Sequence, residues 1–103
     1  MPSRNYQLFH RAIVTRKQIT CTYQGCYREV CPHILGHKNG REVALTFQFS
    51  GESKSGLPPT GEWRCLSLAQ VHDVQIRSGP WYSGPRHTVT QACVEVGDID
   101  VNR

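Results

Sequence analysis

Two arginines set among apolar neighbours, Arg28 and Arg64, are the residues whose type and placement could do chemistry. Arg64 interrupts the alternating run Trp63-Arg64-Cys65-Leu66, and Arg28 lies in the strand-like stretch that begins at Tyr27. A guanidinium presents a rigid fork of N–H donors that matches a carboxylate or phosphate bidentately, which lysine does not reproduce. Two such groups on strands of one small sheet could converge on a single anion. Tyr23, in the preceding strand, offers a ring to stack on a base or a hydroxyl to donate. The competing expectation is that these cations pair with Glu29, Glu62 or Asp73 on the sheet surface, where such pairs are worth little.

A second constellation is Cys26-x4-Cys31-x-His33-x3-His37. Thiolate and imidazole are the donors zinc prefers, and alternation sends Cys31 and His33 to one face. No compact C-x2-C knuckle occurs, so Cys26, Cys31, His33 and His37 are candidate ligands by residue type alone. Neither a resident metal nor a cofactor is expected. Single buried cysteines act as small hydrophobes, the expectation for Cys21, Cys65 and Cys93. Catalysis finds less support. His72 and Asp73 are adjacent on a strand and so point to opposite faces. No Gly-x-Ser-x-Gly, phosphate-cradling Gly-rich loop or His-Glu-x-x-His pattern is present. A non-enzymatic protein is expected.

The elements that must position these residues are mostly short strands. Tyr6, Phe9 and Ile13 recur at helical spacing, which predicts one amphipathic helix from about Arg4 to Lys17. It is too short for a two-helix DNA-reading unit and is expected to cap the open end of a barrel. Ile19, Cys21 and Tyr23 alternate with polar residues as a first strand, closed by a tight turn at Gln24-Gly25-Cys26. In the second strand Arg28, Val30, Pro32 and Ile34 share one face, and Glu29, Cys31, His33 and Leu35 the other. Pro32 cannot donate to a ladder, so the strand there is an edge or is bulged. Lys38-Asn39-Gly40 is a hairpin turn. The third strand has Val43, Leu45, Phe47 and Phe49 as its core face. Ser50 to Gly61, rich in Gly, Ser and Pro, reads as a long excursion or a flap. Two strands around a single helical turn follow over Glu62–Arg77, with Leu68 and Val71 pinning the corner. Beyond Ser78-Gly79-Pro80, Trp81 and Tyr82 should anchor a tail by packing. A further strand is expected over Thr88–Val96, with fraying from Gly97 on.

The predicted architecture is therefore mainly β: a small five-stranded SH3-like or Sm-like barrel with one N-terminal helix over residues 1–78, followed by an extension over 79–103. A chain of 103 residues suits one such domain. The apolar fraction of 38%, with nine glycines and six prolines, favours short strands and many turns over long helices. Five cysteines, an odd count at irregular spacings, argue against a disulfide framework. There is no apolar run of membrane-spanning length and no signal-peptide core near the N-terminus, so a cytoplasmic location with reduced thiols and no membrane contact is expected. The net charge of +4 is uneven, since residues 88–102 carry Glu95, Asp98 and Asp100 and no cation. A mildly basic body is compatible with an anionic partner, or simply with a soluble surface.

Taken in order, Tyr23, Arg28-x-x-x-Pro32 and Arg64-x-Leu66-x-Leu68-x-x-Val71 after a helix resemble the WYL-domain family of bacterial regulators, whose barrel is SH3-like or Sm-like. The resemblance covers about Phe9 to Arg77. The tripeptide that names the family falls on Val43-Ala44-Leu45, which keeps only the leucine. The aromatic of the fourth-strand motif is Leu66 here, and its second arginine is Gln70. The family's N-terminal DNA-binding unit has no counterpart. The resemblance implies a ligand-sensing module of transcription regulation that binds a nucleotide or single-stranded nucleic acid through Tyr23, Arg28, Arg64 and Gln70. A regulatory protein partner is also implied, with the chain a monomer or homodimer. The alternative is a structural interaction module that uses the Trp81-Tyr82 region or an open strand edge.

Overall fold

Ser3 starts the helix by accepting a hydrogen bond on its Oγ from the Tyr6 N–H at 3.1 Å, which satisfies one orphan donor of the first turn. The structure, a computed structural model, describes residues 3–51, 61–83, 94 and 96–100. Helix α1 spans Arg4–Thr15 and stops where Arg16 turns left-handed (φ 51°), which lets the Lys17 N–H reach the Ala12 carbonyl at 2.9 Å. Arg16 and Lys17, expected inside the helix, form its cap.

The strands are β1 (Gln18–Tyr23), β2 (Cys26–Lys38), β3 (Arg41–Gly51), β4 (Glu62–Ser67), β5 (Val71–Arg77) and β6 (Val96–Asp100), with a 3-10 turn at Leu68–Gln70. All pairings are antiparallel, in the order β4-β3-β2-β1-β5, and β6 pairs with β2 outside that path. The protein is thus mainly β, as the alternation predicts; five of its six described strands correspond to those expected over residues 1–78, and the sixth begins where the strand expected over Thr88–Val96 ends. The sixth is possible because β2 is 13 residues long. One edge of β2 is taken by β3; on the other, β1 pairs with its first half and β6 with Ile34–His37. That pairing keeps the chain in a strand through Asp100, where fraying is expected, and Ile99 packs on the core. The strand expected over Thr88–Val96 falls almost wholly outside the described residues, as does most of the Ser50–Gly61 excursion.

Two turns set the registers. Gln24-Gly25 (φ 54° and 77°) and Asn39-Gly40 (φ 53° and 76°) both have two consecutive left-handed residues, the geometry that matches strand twist in a two-residue hairpin. The first closes one residue earlier than expected, because Cys26 already belongs to β2.

Pro32 marks a bulge, and it falls in the gap between the β1 and β6 pairings on the other side of β2. The register slips between Pro32 and Ile34, with His33 as the extra residue. The simple alternation expected of β2 therefore fails past Pro32, and Leu35 joins the same core as Val30. The expectation for β3 also needs correction. Ala44 packs in the cluster under α1, while Leu45 and Phe47 lie on the opposite face, and every residue from Val43 to Gln48 is buried. Both faces are covered: one by Phe9, Ala12 and Ile13 of α1, the other by rings from the segment after β5. There Trp81 lies 5.0 Å from His33, which stands 4.8 Å from Trp63; Tyr82 stacks on Phe49 at 4.5 Å. Trp81 and Tyr82 do anchor the chain as expected.

The corner that joins the two end strands of the sheet is tied to the helix. Asn5 Nδ2 donates to the carbonyls of Leu68 (3.0 Å) and Val71 (2.8 Å), whose side chains are 1% and 3% exposed. Among the described residues, no helix is long and apolar enough to cross a membrane.

Candidate anion site

The Gln24-Gly25 turn fixes the pairing outward, Tyr23 with Cys26, Thr22 with Tyr27, and Cys21 with Arg28. Cross-strand partners share a face, so Arg28 points to the α1 side with Cys21, a member of the main core. On the diagonal, the Arg28 guanidinium carbon lies 5.2 Å from the centroid of the Tyr23 ring. Arg28 is 4% exposed. Its Nε is sealed from solvent without a hydrogen-bond partner, and no carboxylate pairs with it among the described residues.

Magnitudes show what this arrangement lacks. An arginine does not shed its proton to escape burial. A desolvated cation–π contact contributes about 2 kcal/mol, whereas an ion taken out of water without a counter-charge costs several kcal/mol. The ring alone does not balance that cost. Nor does Cys21 supply a negative charge, since burial pushes its thiol up to about 11 although Arg28 pulls the other way. Position is imposed on Arg28 by the backbone. Gly51 lies opposite it at φ +98°, where a Cβ would stand 2.5 Å from the Tyr27 carbonyl and 2.8 Å from the Arg28 Cα.

Tyr23 is 9% exposed, and its hydroxyl accepts from the Ser67 N–H at 3.3 Å. The hydroxyl expected to meet a ligand thus meets β4, and one face of the ring carries Arg28. Arg64 shares the α1 side, two positions before Leu66. It is level with Thr46 and Pro32, four positions along β2 from Arg28, which is roughly 13 Å along the strand and roughly 10 Å across it. Its Nη2 pairs with the Glu62 carboxylate at 2.9 Å. Gln70 is exposed on the 3-10 turn. The structure therefore brings Tyr23 and Arg28 together, and brings Arg64 to Glu62.

Three of the four zinc-type residues have other partners. Cys31 Sγ accepts from the Tyr82 N–H at 3.4 Å, and His33 Nε2 lies 3.2 Å from the Tyr82 carbonyl oxygen, so both clamp the same residue of the tail. His37 pairs through Nδ1 with Asp98 at 3.1 Å, beside the Tyr6 ring. Cys26 opens β2 opposite Tyr23. No group of three or more metal-ligating side chains occurs among the described residues. Cys65 departs from expectation. It is exposed and disulfide-bonded, neither a core thiol nor a reduced one, while Cys21, Cys26 and Cys31 are free; Cys93 lies outside the described residues.

Sequence reasoning overlooked Cys21 as the neighbour of Arg28, although counting outward from a two-residue turn gives that pair. It also overlooked Gln18, 2% exposed, whose Oε1 accepts from Arg77 and whose Nε2 donates to the Pro80 carbonyl, leading the chain off β5. A lone glutamine at the start of a strand carries no signal of that role. In comparisons with known proteins, no family model, no curated protein and no solved structure matches the chain.

Proposed function

We propose that this chain is a non-enzymatic ligand-binding module that takes an anion on Arg28 against Tyr23, in an SH3-like or Sm-like barrel of the WYL type. The observation that carries the reading is the buried guanidinium of Arg28 with no counter-charge among the described residues. A cation held this way by its strand fits a site completed by a ligand. The barrel is supported by the corner at Leu68–Gln70, which links the two end strands of the sheet, and by the hydrogen bond from Ser67 to Tyr23 between β4 and β1. A nucleotide or single-stranded nucleic acid is the anion that the family resemblance implies, with a regulatory role in the cytoplasm beside a partner protein. Chemical-shift titration with a nucleotide and short-oligonucleotide panel tests this. Binding should weaken with salt and disappear in Arg28→Ala, with a smaller loss in Arg64→Ala, whose charge Glu62 already meets.

A second reading, a structural interaction module, is favoured by β5. It ends the recorded strand order, with β1 on one side and no strand on the other among the described residues. Failure of every anion to bind, together with a concentration-dependent dimer, would select it.

A further inference from the structure

We infer that the anion held by Arg28 is a small, singly charged acid with an apolar body, a monocarboxylate being the best match, and not a polyanion. This rests on the reading of Arg28 as an anion site and departs from the nucleotide or nucleic-acid ligand that the family resemblance implies.

The charge count comes first. Arg64 is met by Glu62 at 2.9 Å, and Arg77 by Glu29 at 3.1 Å, so neither of these two cations calls for a further negative charge. One negative charge neutralises Arg28. A second charge on the same ligand would be buried without a partner and would restore the desolvation cost that the first removed. Burial points the same way. A nucleic-acid strand runs its phosphates along an open, positively charged groove, whereas a guanidinium that is 4% exposed does not line such a groove.

The surroundings choose the body. Beside Arg28 are the Tyr23 ring, the neutral Cys21 thiol across the ladder and Val30 two positions on, all members of the apolar core. Donor geometry chooses the head. Nε has no partner, so the edge that it forms with one Nη is unused; two parallel N–H groups there match the two oxygens of a carboxylate.

The test uses the full chain, isotope-labelled, with the backbone resonances of residues 21–30 followed during titration. The ligands are benzoate, phenyl phosphate, adenosine monophosphate and a short oligothymidylate. Benzoate should bind most tightly. Phenyl phosphate should bind about tenfold more weakly near pH 8, where it is a dianion, than near pH 5, where it is a monoanion. Cys21, Tyr23 and Cys26 beside Arg28, Glu62 with Arg64 two strands away, and Tyr6, His37, Glu42 and Asp98 toward the start of α1 are titratable groups on that face. They act on both ligands, so benzoate measured at both pH values reports their share. Arg28→Lys, which keeps the charge and loses the fork, should weaken benzoate about tenfold. Arg28→Met should abolish binding while the spectrum of the fold persists. Oligothymidylate or the nucleotide binding as tightly as benzoate, and losing that binding in Arg28→Met, would overturn this inference and leave the anion reading standing. If no anion moves residues 21–30, both fall.

Discussion

Arg28 is a residue whose cost and use can be measured separately. Its guanidinium is buried against Tyr23 without a carboxylate, so replacing it with methionine, of similar reach and no charge, should stabilise the free protein by about 1 kcal/mol or more. A rise in the thermal midpoint of Arg28→Met checks this; a fall would mean that the charge is already satisfied in the fold. The arginine itself was legible in the sequence, and so was its neighbour Cys21 through the turn. That it goes unpaired was not legible, because one acid is turned away by alternation and another, on the same face, is taken by a second arginine. Glu29 faces the other side and bonds Arg77, which holds its carboxyl below the usual range, and Glu62 stands with Arg64. Tyr6 gives a pH prediction. Burial, and next the hydrogen bond that it donates to Asp98, push its hydroxyl up to about 12 from an ordinary value near 10. The folded state thus favours the protonated phenol. The contribution is fully present below pH 10 and is lost as pH rises through 12. Denaturation midpoints measured from pH 9 to 12 should fall for the protein and fall less for Tyr6→Phe.

At the scale of the element, the chain was readable where a local signal decides the outcome. Asn39-Gly40 gives a hairpin, helical spacing gives α1, and Leu68 with Val71 gives the corner. It was misread where a long-range partner decides. The bulge after Pro32 shifts the faces of β2, and burial on both sides of β3 comes from rings that arrive after β5. Pro32 itself signals the bulge, but the faces that result past it, and the rings that cover β3, are not encoded within the strand concerned. Two glycines separate the cost of backbone strain from that of close approach. Gly40 (φ +76°) has nothing within 4 Å of an added Cβ, so Gly40→Ala should cost about 1 kcal/mol from conformation alone. Gly51 (φ +98°) adds contacts of 2.5 and 2.8 Å with the backbone of Tyr27 and Arg28, which belong to a paired strand and have little room to yield. Gly51→Ala should therefore lower stability well beyond Gly40→Ala and disturb the anion site as well. Equal chemical-denaturation midpoints for the two variants would show that the β3 end shifts freely.

For the whole molecule, the sheet is held from its two faces by different means. On one, α1 supplies Phe9, Ala12 and Ile13 from a helix whose Asn5 also grips the corner; on the other, residues after β5 lie on aromatic rings and on Cys31, His33 and Gln18. The second cover is discontinuous in sequence, which is why composition and alternation do not show which residues Trp81 and Tyr82 rest on. The disulfide at Cys65 adds a covalent restraint on β4, an end strand with ladder partners on β3 only among the described residues. A crosslink that limits the unfolded chain typically contributes about 2–4 kcal/mol. Reduction should therefore lower the thermal midpoint at neutral pH. A reductant reaches Cys65, which is exposed, and has no other disulfide to act on among the described cysteines. Cys21 and Cys31, both buried with thiols pushed up to about 11, should stay unreactive in either state. Cys65→Ser should melt with the reduced protein and ignore reductant. If the oxidised and reduced forms melt together, the crosslink restrains nothing that packing does not already hold. If Cys65→Ser still responds to reductant, a thiol other than Cys65 is involved.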